Sequence, residues 1–87
     1  MGYFVYAIRS QSRPYIYVGL TDNVERRLGQ HNAGYSRTTA PYRPFELVLI
    51  EEHPDRQAAR DREKFLKSGK GKEFLKNLRT IGRVVER

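Results

Sequence analysis

The sequence of 87 residues predicts an α+β fold with its elements in the order β-β-α-β-α-α. Two observations predict it. Three runs rich in β-branched and aromatic residues have the length of strands, and three other runs carry helix-capping residues or an apolar stripe at helical spacing. The length is near the small end of what folds alone and predicts one domain over residues 1–87 with one compact site. Cysteine is absent, which excludes disulfides and thiolate zinc sites.

The first two runs are predicted to form a β-hairpin. In YFVYAIRS (residues 3–10), alternation places Phe4, Tyr6 and Ile8 on one face. In YIYVGL, alternation places Tyr17 and Gly19 on one face. If the turn centres on residues 11 and 12, Tyr6 and Tyr17 stand directly opposite each other.

A helix is predicted to follow in TDNVERRLGQH. Asp22 is the expected N-cap, and Glu25, three residues later, completes a capping box. Four residues at helical spacing share one face: Val24, Arg27, Leu28 and His31. Because two of the four are apolar, this face is expected to pack inward, with Arg27 and His31 at the edge of the core.

The second half of the chain is predicted to add a loop, a strand and two helices. Residues 32–44 form a loop long enough to be functional, and FELVLIEEH is a strand whose apolar centre suits the middle of a small sheet. A helix opens near Pro54 and Asp55, closes around Gly69, and has Ala59, Glu63 and Leu66 on one stripe. The last helix is basic, and its docking residues are Phe74, Leu75 and Leu78.

The charge of the chain is concentrated in its last third. The net charge is +7, and residues 56–87 hold 11 Lys and Arg against 4 acids. This distribution is expected of a surface that follows a polyanion backbone, although a solvated helix face on a basic protein gives the same pattern. No run approaches the length of a membrane span, so the sequence predicts a soluble, cytoplasmic protein without membrane contact.

Two groups of residues suggest chemistry at a phosphate. Tyrosines in strands usually serve packing, but two phenols beside a glycine, here Tyr6, Tyr17 and Gly19, form a candidate site. Arg27 alone is most simply a residue whose stem covers apolar surface. Together with His31 on the same face it offers the donor fork and the proton-transfer partner that a phosphate needs.

Glu63 is the carboxylate of interest in the basic segment. An ordinary i,i+4 pair with Lys67 accounts for it without any function. A carboxylate among many cations can also hold a magnesium ion, whose oxygen chemistry suits phosphodiesters. The sequence has no phosphate-binding glycine loop, no histidine or cysteine metal cluster and no Ser-His-Asp spacing.

Read together, these residues resemble a known family. FVY (Phe4 to Tyr6) precedes YVG (Tyr17 to Gly19), an arginine stands at the tenth position after the second tyrosine, and REKFLK (Arg62 to Lys67) follows. This ordered set is similar to the GIY-YIG nuclease superfamily, and more narrowly to its small stand-alone bacterial branch related to the nuclease module of nucleotide excision repair. The similarity covers nearly the whole chain.

The resemblance implies a small sheet of three antiparallel strands flanked by helices, and hydrolysis of DNA phosphodiesters with Mg²⁺ or Mn²⁺. By position, Tyr6 would act as general base or orient the attacking water, and Tyr17 would support it. Arg27 would stabilise charge on the phosphate, and His31 would take part in proton transfer or phosphate contact. Glu63 would be the metal ligand.

Three positions depart from the family pattern. Phe4 stands in place of the glycine of the first triplet, and Leu20 in place of a lysine found after the second triplet. Leu75 stands where several members have an asparagine, with Asn77 only nearby. These departures predict catalysis weaker than in better-matched relatives.

The sequence therefore predicts a magnesium-dependent endonuclease acting on branched, nicked or flap DNA in repair or recombination, with a monomer favoured. The residues expected to contact backbone phosphates lie in the long loop and the basic third: Arg37, Thr38, Thr39, Arg43, Lys64, Lys67, Lys70 and Lys72. Two alternatives stay open. One is a nucleic-acid-binding module that keeps the fold without the chemistry, and the other is an interaction protein whose basic helix docks on an acidic partner.

Overall fold

Three strands form one antiparallel sheet, and the predicted α+β class and element order are both confirmed. The structure is a computed structural model that describes residues 2–80. The elements, in chain order, are β1 (Tyr3–Ser10), β2 (Ile16–Thr21), α1 (Val24–Asn32), β3 (Phe45–His53), α2 (Arg56–Leu66) and α3 (Gly69–Lys76). A short 3-10 helix, Ala40–Tyr42, interrupts the long loop before β3.

The central strand is β1, and the strand order is β2-β1-β3. The prediction that residues 45–53 form the middle strand is therefore wrong. In β1 the four consecutive residues from Val5 to Ile8 are at most 1% exposed, whereas Ile50 in β3 remains 42% exposed. An apolar run indicates burial on the faces of a sheet, but it does not decide which strand has neighbours on both sides.

The hairpin register differs from the predicted one by two residues. Tyr6 stands opposite Gly19, and Tyr17 stands opposite Ile8. The turn is longer than expected because the Ser10 hydroxyl accepts hydrogen bonds from the backbone N–H groups of Ser12 and Arg13 at 3.1 and 3.0 Å. This shift places a residue without a side chain beside the Tyr6 ring.

Each face of the sheet has its own hydrophobic cluster. The face covered by α2 and α3 buries Val5, Ala7, Val18, Val48, Ala59, Leu66 and Leu75. The face covered by α1 buries Tyr6, Ile8, Val24 and Phe45, with Tyr15 and Tyr17 packed against them. The predicted alternation of β1 and β2 is confirmed, because Tyr6 and Tyr17 share the α1 face.

The helix ends correct several expectations. Asn23, not Asp22, is the N-cap of α1, since its side chain accepts a hydrogen bond from the N–H of Arg26 at 3.0 Å. Asp22 forms an ion pair with the Arg26 side chain at 2.7 Å instead. Asp55 is the N-cap of α2 as predicted. The prediction that α2 ends around Gly69 is wrong, because α2 ends at Leu66 and Gly69 is the first residue of α3, directly after its N-cap Ser68.

Two of the three residues predicted to dock the last helix on the core do so, and the third is exposed. Leu75 is fully buried, and Leu78 packs against the same core after the helix has ended. Phe74 is 42% exposed, and its ring lies under the Arg62 guanidinium, 5.8 Å from the ring centroid. The predicted tail RVVER lies outside the described residues. Across residues 2–80, no helix is long and apolar enough to cross a membrane.

Candidate active site

The first feature of the site is the close approach of Tyr6 and Tyr17 over Gly19. The ring centroids of the two tyrosines are 6.2 Å apart. A Cβ atom on Gly19 would lie 2.7 Å from the Tyr6 hydroxyl oxygen and 2.9 Å from the Tyr17 ring. These separations are too short for real side chains, so only glycine at this position leaves both phenols in place.

The second feature is a buried chain of hydrogen bonds that starts at Tyr6. Its hydroxyl is 2.8 Å from Nε2 of His31, and Nδ1 of the same imidazole is 2.8 Å from the Thr39 hydroxyl. Tyr6 is 1% exposed, and His31 and Thr39 are both 0% exposed. His31 thus lies inside the core and not at its edge as expected.

Burial shifts the pKa values of Tyr6 and His31 within this chain of hydrogen bonds. It raises the pKa of Tyr6 to about 12, with a further rise from Tyr17 and an opposing effect of the Arg27 guanidinium. It lowers the pKa of His31 to about 4, and the charge of Arg27 adds to that effect. Both groups are therefore neutral near pH 7, so one ring nitrogen of His31 carries a proton and the other is free to accept one.

Arg27 is the cation that acts on both members of the pair. It lies on the half-buried side of α1, one turn before His31, and its Nη1 donates to the Gln30 side chain at 2.8 Å. Its charge favours a phenolate at Tyr6 and disfavours an imidazolium at His31. A guanidinium in this place also favours an anion bound next to the two tyrosines.

Glu63 lies on α2, in the other helix layer, and its charge also acts on Tyr6. Its charge raises the pKa of Tyr6, although less than burial and Tyr17 do. The carboxylate is 18% exposed and pairs with the Lys67 ammonium at 3.1 Å, which is the i,i+4 pair expected from the sequence. Tyr6, Tyr17, Arg27, His31 and Glu63 thus all contribute to one locality.

The donor set bears on whether a metal ion fits. Among residues 2–80, no group of three or more His, Cys, Asp or Glu side chains could hold a metal by itself. Mg²⁺ often uses only one or two protein carboxylates and completes its shell with water and substrate phosphate oxygens. Glu63 fits that second type of site, and a metal there would compete with Lys67 for the carboxylate.

The side chains expected to contact DNA are all exposed, with one exception. Arg37, Thr38 and Arg43 lie at the surface of the long loop, and Lys64, Lys67, Lys70 and Lys72 lie at the surface around α2 and α3. Thr39 is the exception, because it is completely buried and its hydroxyl bonds to His31. A phosphate contact by Thr39 is therefore excluded, and its hydrogen bond to His31 was not foreseen from the sequence.

The departures from the family pattern have structural counterparts. Phe4 packs against the cluster on the α1 face, so a large side chain is accommodated there. Leu75 is part of the core on the other face. Asn77 caps the end of α3 and donates to the carbonyl of Glu73 at 3.0 Å.

Comparison with known proteins gives the same family from an independent direction. The profile described as the GIY-YIG catalytic domain matches residues 2–77. A UPF0213 protein of Nitratidesulfovibrio vulgaris is 37% identical over 81 residues, which is 92% of this chain and 73% of that protein. A UPF0213 protein of Natronomonas pharaonis is 43% identical over 54 residues, or 61% of this chain and 64% of that protein.

Some of the relatives carry a functional name. The structure-specific endonuclease subunit slx1 of Pyrenophora tritici-repentis is 41% identical over 63 residues, which is 66% of this chain. The matched part is only 17% of that longer protein. No solved structure matches the chain at a significant level.

Proposed function

This chain belongs to the GIY-YIG family, and from that premise we propose that it is a metal-dependent endonuclease that hydrolyses DNA phosphodiester bonds. The proposal includes selectivity for branched, nicked or flap DNA, as the name of the slx1 relative suggests for that protein. It also includes a single domain, action as a monomer in the cytoplasm, and a role in repair or recombination.

The observation that carries the proposal is the convergence of five chemically suited side chains from both sides of the sheet. Two phenols lie over Gly19, Tyr6 is bonded to the imidazole of His31, and charges from Arg27 and Glu63 both act on Tyr6. His31 has no exposed surface, and its hydrogen bonds at both nitrogens hold the imidazole in one orientation toward Tyr6. Buried polar groups with shifted pKa values beside a cation are typical of catalytic sites.

The proposed proton path runs from water to Tyr6 and on to His31. With its own proton on Nδ1, the imidazole donates to the Thr39 hydroxyl and leaves Nε2 to accept the Tyr6 O–H. Tyr6 then takes the proton of an attacking water while its own proton passes to Nε2. This path avoids a free phenolate, which the raised pKa of Tyr6 makes costly, and forms an imidazolium at His31 instead. The lowered pKa of His31 makes the imidazolium costly as well, but at pH 7 it is the smaller of the two costs.

The remaining residues have simpler roles in the proposal. Tyr17 positions the water or the phosphate beside Tyr6, and Arg27 stabilises the charge that grows on the phosphate oxygens. Glu63 would hold the divalent ion once Lys67 is displaced, and Lys67 would then be available to a phosphate of the substrate. The ion, Mg²⁺ or Mn²⁺, would supply neutralisation of the phosphate and of the leaving oxygen.

The proposed DNA surface consists of the exposed cations around this locality. The expected contacts are Arg37 and Arg43 from the loop and Lys64, Lys67, Lys70 and Lys72 from α2 and α3. Such contacts position a backbone but carry little sequence information, which is consistent with selection by DNA structure.

The test is cleavage of a labelled panel of duplex, nicked, flap and four-way DNA with Mg²⁺ or with EDTA. We expect the intact chain to cut at least one branched or nicked substrate only when Mg²⁺ is present. Glu63→Gln should lower the rate at least about a hundredfold, because it removes the metal ligand. Glu52→Gln, which removes an exposed carboxylate from β3, is the matched control and should leave the rate unchanged.

If the folded, intact protein binds the panel but cuts nothing with Mg²⁺ or with Mn²⁺ in its place, the endonuclease proposal is wrong. Binding whose strong salt dependence is the same in Glu63→Gln would then identify a nucleic-acid-binding module. If the protein does not bind any DNA of the panel at physiological salt, an interaction protein that docks on an acidic partner is the remaining interpretation.

A further inference from the structure

A cleft separate from the tyrosine site opens at the turn end of the β1–β2 hairpin, where the hairpin faces α3. Its volume is about 540 Å³, which is within the range of small-ligand sites. The lining includes Arg13, Pro14, Tyr15, Ile16, Lys72 and Lys76. None of the five residues assigned to catalysis lines it.

The charge of the cleft favours an anion. Its lining contains no carboxylate. Within residues 2–80, neither Arg13 nor Lys72 has an ion-pair partner, and Lys76 has only a loose one, Glu73 at 3.9 Å. Arg9, also in the lining, is already held by Glu46 at 3.0 Å and contributes little to a ligand.

The apolar part of the cleft makes a bare anion a poor fit. Pro14, Tyr15 and Ile16 give it walls against which a flat organic group can lie. Tyr15 is stacked on Tyr42 with ring centroids 4.0 Å apart, and the Arg13 guanidinium lies 5.9 Å from the Tyr42 centroid. The cation is therefore held beside an aromatic stack, a combination that suits a phosphate attached to a base.

The cleft lies close to the tyrosine site along the free edge of β2. Tyr15 precedes Tyr17 by two residues, so about 7 Å of strand separates them. A strand bound at the tyrosines therefore needs to run only this far along the edge of β2 to reach the cleft.

We propose that this cleft binds single-stranded DNA adjacent to the phosphate that is cut. Backbone phosphates contact Arg13, Lys72 and Lys76, and a base lies against Pro14 and Ile16. Single-stranded DNA is the fitting occupant because a base in a duplex is stacked between its neighbours and does not enter a cleft. This inference rests on the proposed function and specifies that the substrate has an unpaired arm.

The test is a fluorescence anisotropy titration of labelled oligothymidylate in EDTA, where no metal-dependent cleavage occurs. The double variant Arg13→Gln with Lys72→Gln removes the two cations of the cleft that have no ion-pair partner within residues 2–80. Arg56→Gln with Arg60→Gln is the control, since it removes the same charge from an exposed part of α2 away from the cleft lining. All four side chains are exposed, so both proteins are expected to fold.

We expect the cleft variant to bind at least about tenfold more weakly, with a salt slope flatter by roughly 1.4 for the two lost phosphate contacts. The control should stay within about twofold of the intact chain. Equal losses in both variants would show that only net charge matters and would overturn the inference. Competition by inorganic phosphate as strong as that by thymidine monophosphate would overturn the base contact.

The outcomes separate the cleft from the proposed nuclease activity. If the cleft variant and its control bind alike while the intact chain still cuts branched DNA with Mg²⁺, the cleft is wrong and the nuclease stands. If the cleft variant alone loses binding and no substrate is cut, the cleft stands and the nuclease is wrong.

Discussion

At the scale of single residues, Gly19 determines whether the site can exist. The sequence indicated a glycine among tyrosines, but the predicted register placed it away from Tyr6. In the observed register Tyr6 stands opposite Gly19, and the Ser10 hydroxyl accepts two backbone hydrogen bonds within the turn. No turn motif in the sequence predicts these hydrogen bonds. Close packing of the Tyr6 ring over the glycine is therefore visible only in the fold.

Gly19→Ala is predicted to damage both stability and activity. The added methyl group would lie 2.7 Å from the Tyr6 hydroxyl, so the ring or the strand has to move. We expect a loss of about 1–3 kcal/mol in the free energy of unfolding, measured by urea denaturation. Cleavage should fall as well, because the Tyr6 to His31 hydrogen bond is displaced.

Gly29→Ala is the matched control for that substitution. Gly29 is an exposed residue inside α1, and a Cβ atom there meets no atom within 4 Å. Alanine should raise the free energy of unfolding by up to about 1 kcal/mol, because glycine is a poor helix former. Equal effects of the two alanines would contradict the close packing at Gly19.

His31 is predicted to make stability depend on pH. Its pKa in the folded chain is about 4, against the ordinary value of 6.5, so between these values the unfolded chain binds more protons. Its contribution is complete above pH 6.5, declines as the pH falls and is gone below pH 4. The total is roughly 3 kcal/mol.

The measurement is the free energy of unfolding between pH 4 and pH 7 for the intact chain and for His31→Gln. Glutamine does not titrate, so the difference between the two pH profiles isolates the histidine from the carboxylates. A parallel course of the two profiles would mean that His31 is protonated as easily in the folded chain as in the unfolded one.

Much of the site could be predicted from residue types and spacing, and the rest could not. Helical spacing placed Arg27 and His31 on one face, and strand alternation placed Tyr6 and Tyr17 on one face. Thr39 was missed because its role comes from a loop that folds back eight residues after His31, and loop paths have no period. The complete burial of His31 likewise needed the position of that loop.

At the scale of elements, the type and order of the helices and strands can be predicted from periodicity and capping residues. The pairing of the strands within the sheet cannot. Strand alternation and the Asp55 cap gave the β-β-α-β-α-α order. The choice of β1 as the central strand depends on non-local pairing with both neighbours, which a local pattern does not encode. The boundary between α2 and α3 was misjudged because Gly69 reads equally well as the end of one helix or the start of the next.

The corner between α2 and α3 is predicted to depend on Gly71. A Cβ atom there would overlap the Phe65 carbonyl oxygen and lie 2.5 Å from the Leu66 Cα. Gly71→Ala should therefore push α3 away from α2 and cost at least about 1–3 kcal/mol in the free energy of unfolding. Urea denaturation measures this loss.

Gly69→Ala provides the comparison within the same helix. A Cβ atom at Gly69 meets no atom within 4 Å, so alanine should leave stability unchanged or raise it by up to about 1 kcal/mol. A Gly71 variant as stable as the Gly69 variant would contradict the tight corner.

At the scale of the whole molecule, the helices on the two faces of the sheet supply different parts of the proposed site. The α1 layer supplies Arg27 and His31 beside the phenols, and the α2 and α3 layer supplies Glu63 and most of the expected DNA contacts. The sequence predicted this charge distribution, since its positive excess lies in residues 56–87. The cleft at the hairpin turn was not foreseen, because Arg13 and Lys72 come together only when α3 packs beside the hairpin.

The central claim is that this cluster cleaves a phosphodiester, and a pair of neighbouring arginines tests it most directly. Arg27 acts on Tyr6 and His31, whereas Arg26 is exposed and paired with Asp22 at 2.7 Å. Changing either residue to alanine removes the same charge from the same helix. The measurement is the single-turnover cleavage rate of each variant on the best substrate of the panel, with Mg²⁺ and saturating protein.

We predict that Arg27→Ala lowers this rate about 10²- to 10³-fold, the usual effect of removing a group that stabilises developing negative charge. Arg26→Ala should stay within about threefold of the intact chain. Equal rates for the two variants, both close to that of the intact chain, would contradict the account.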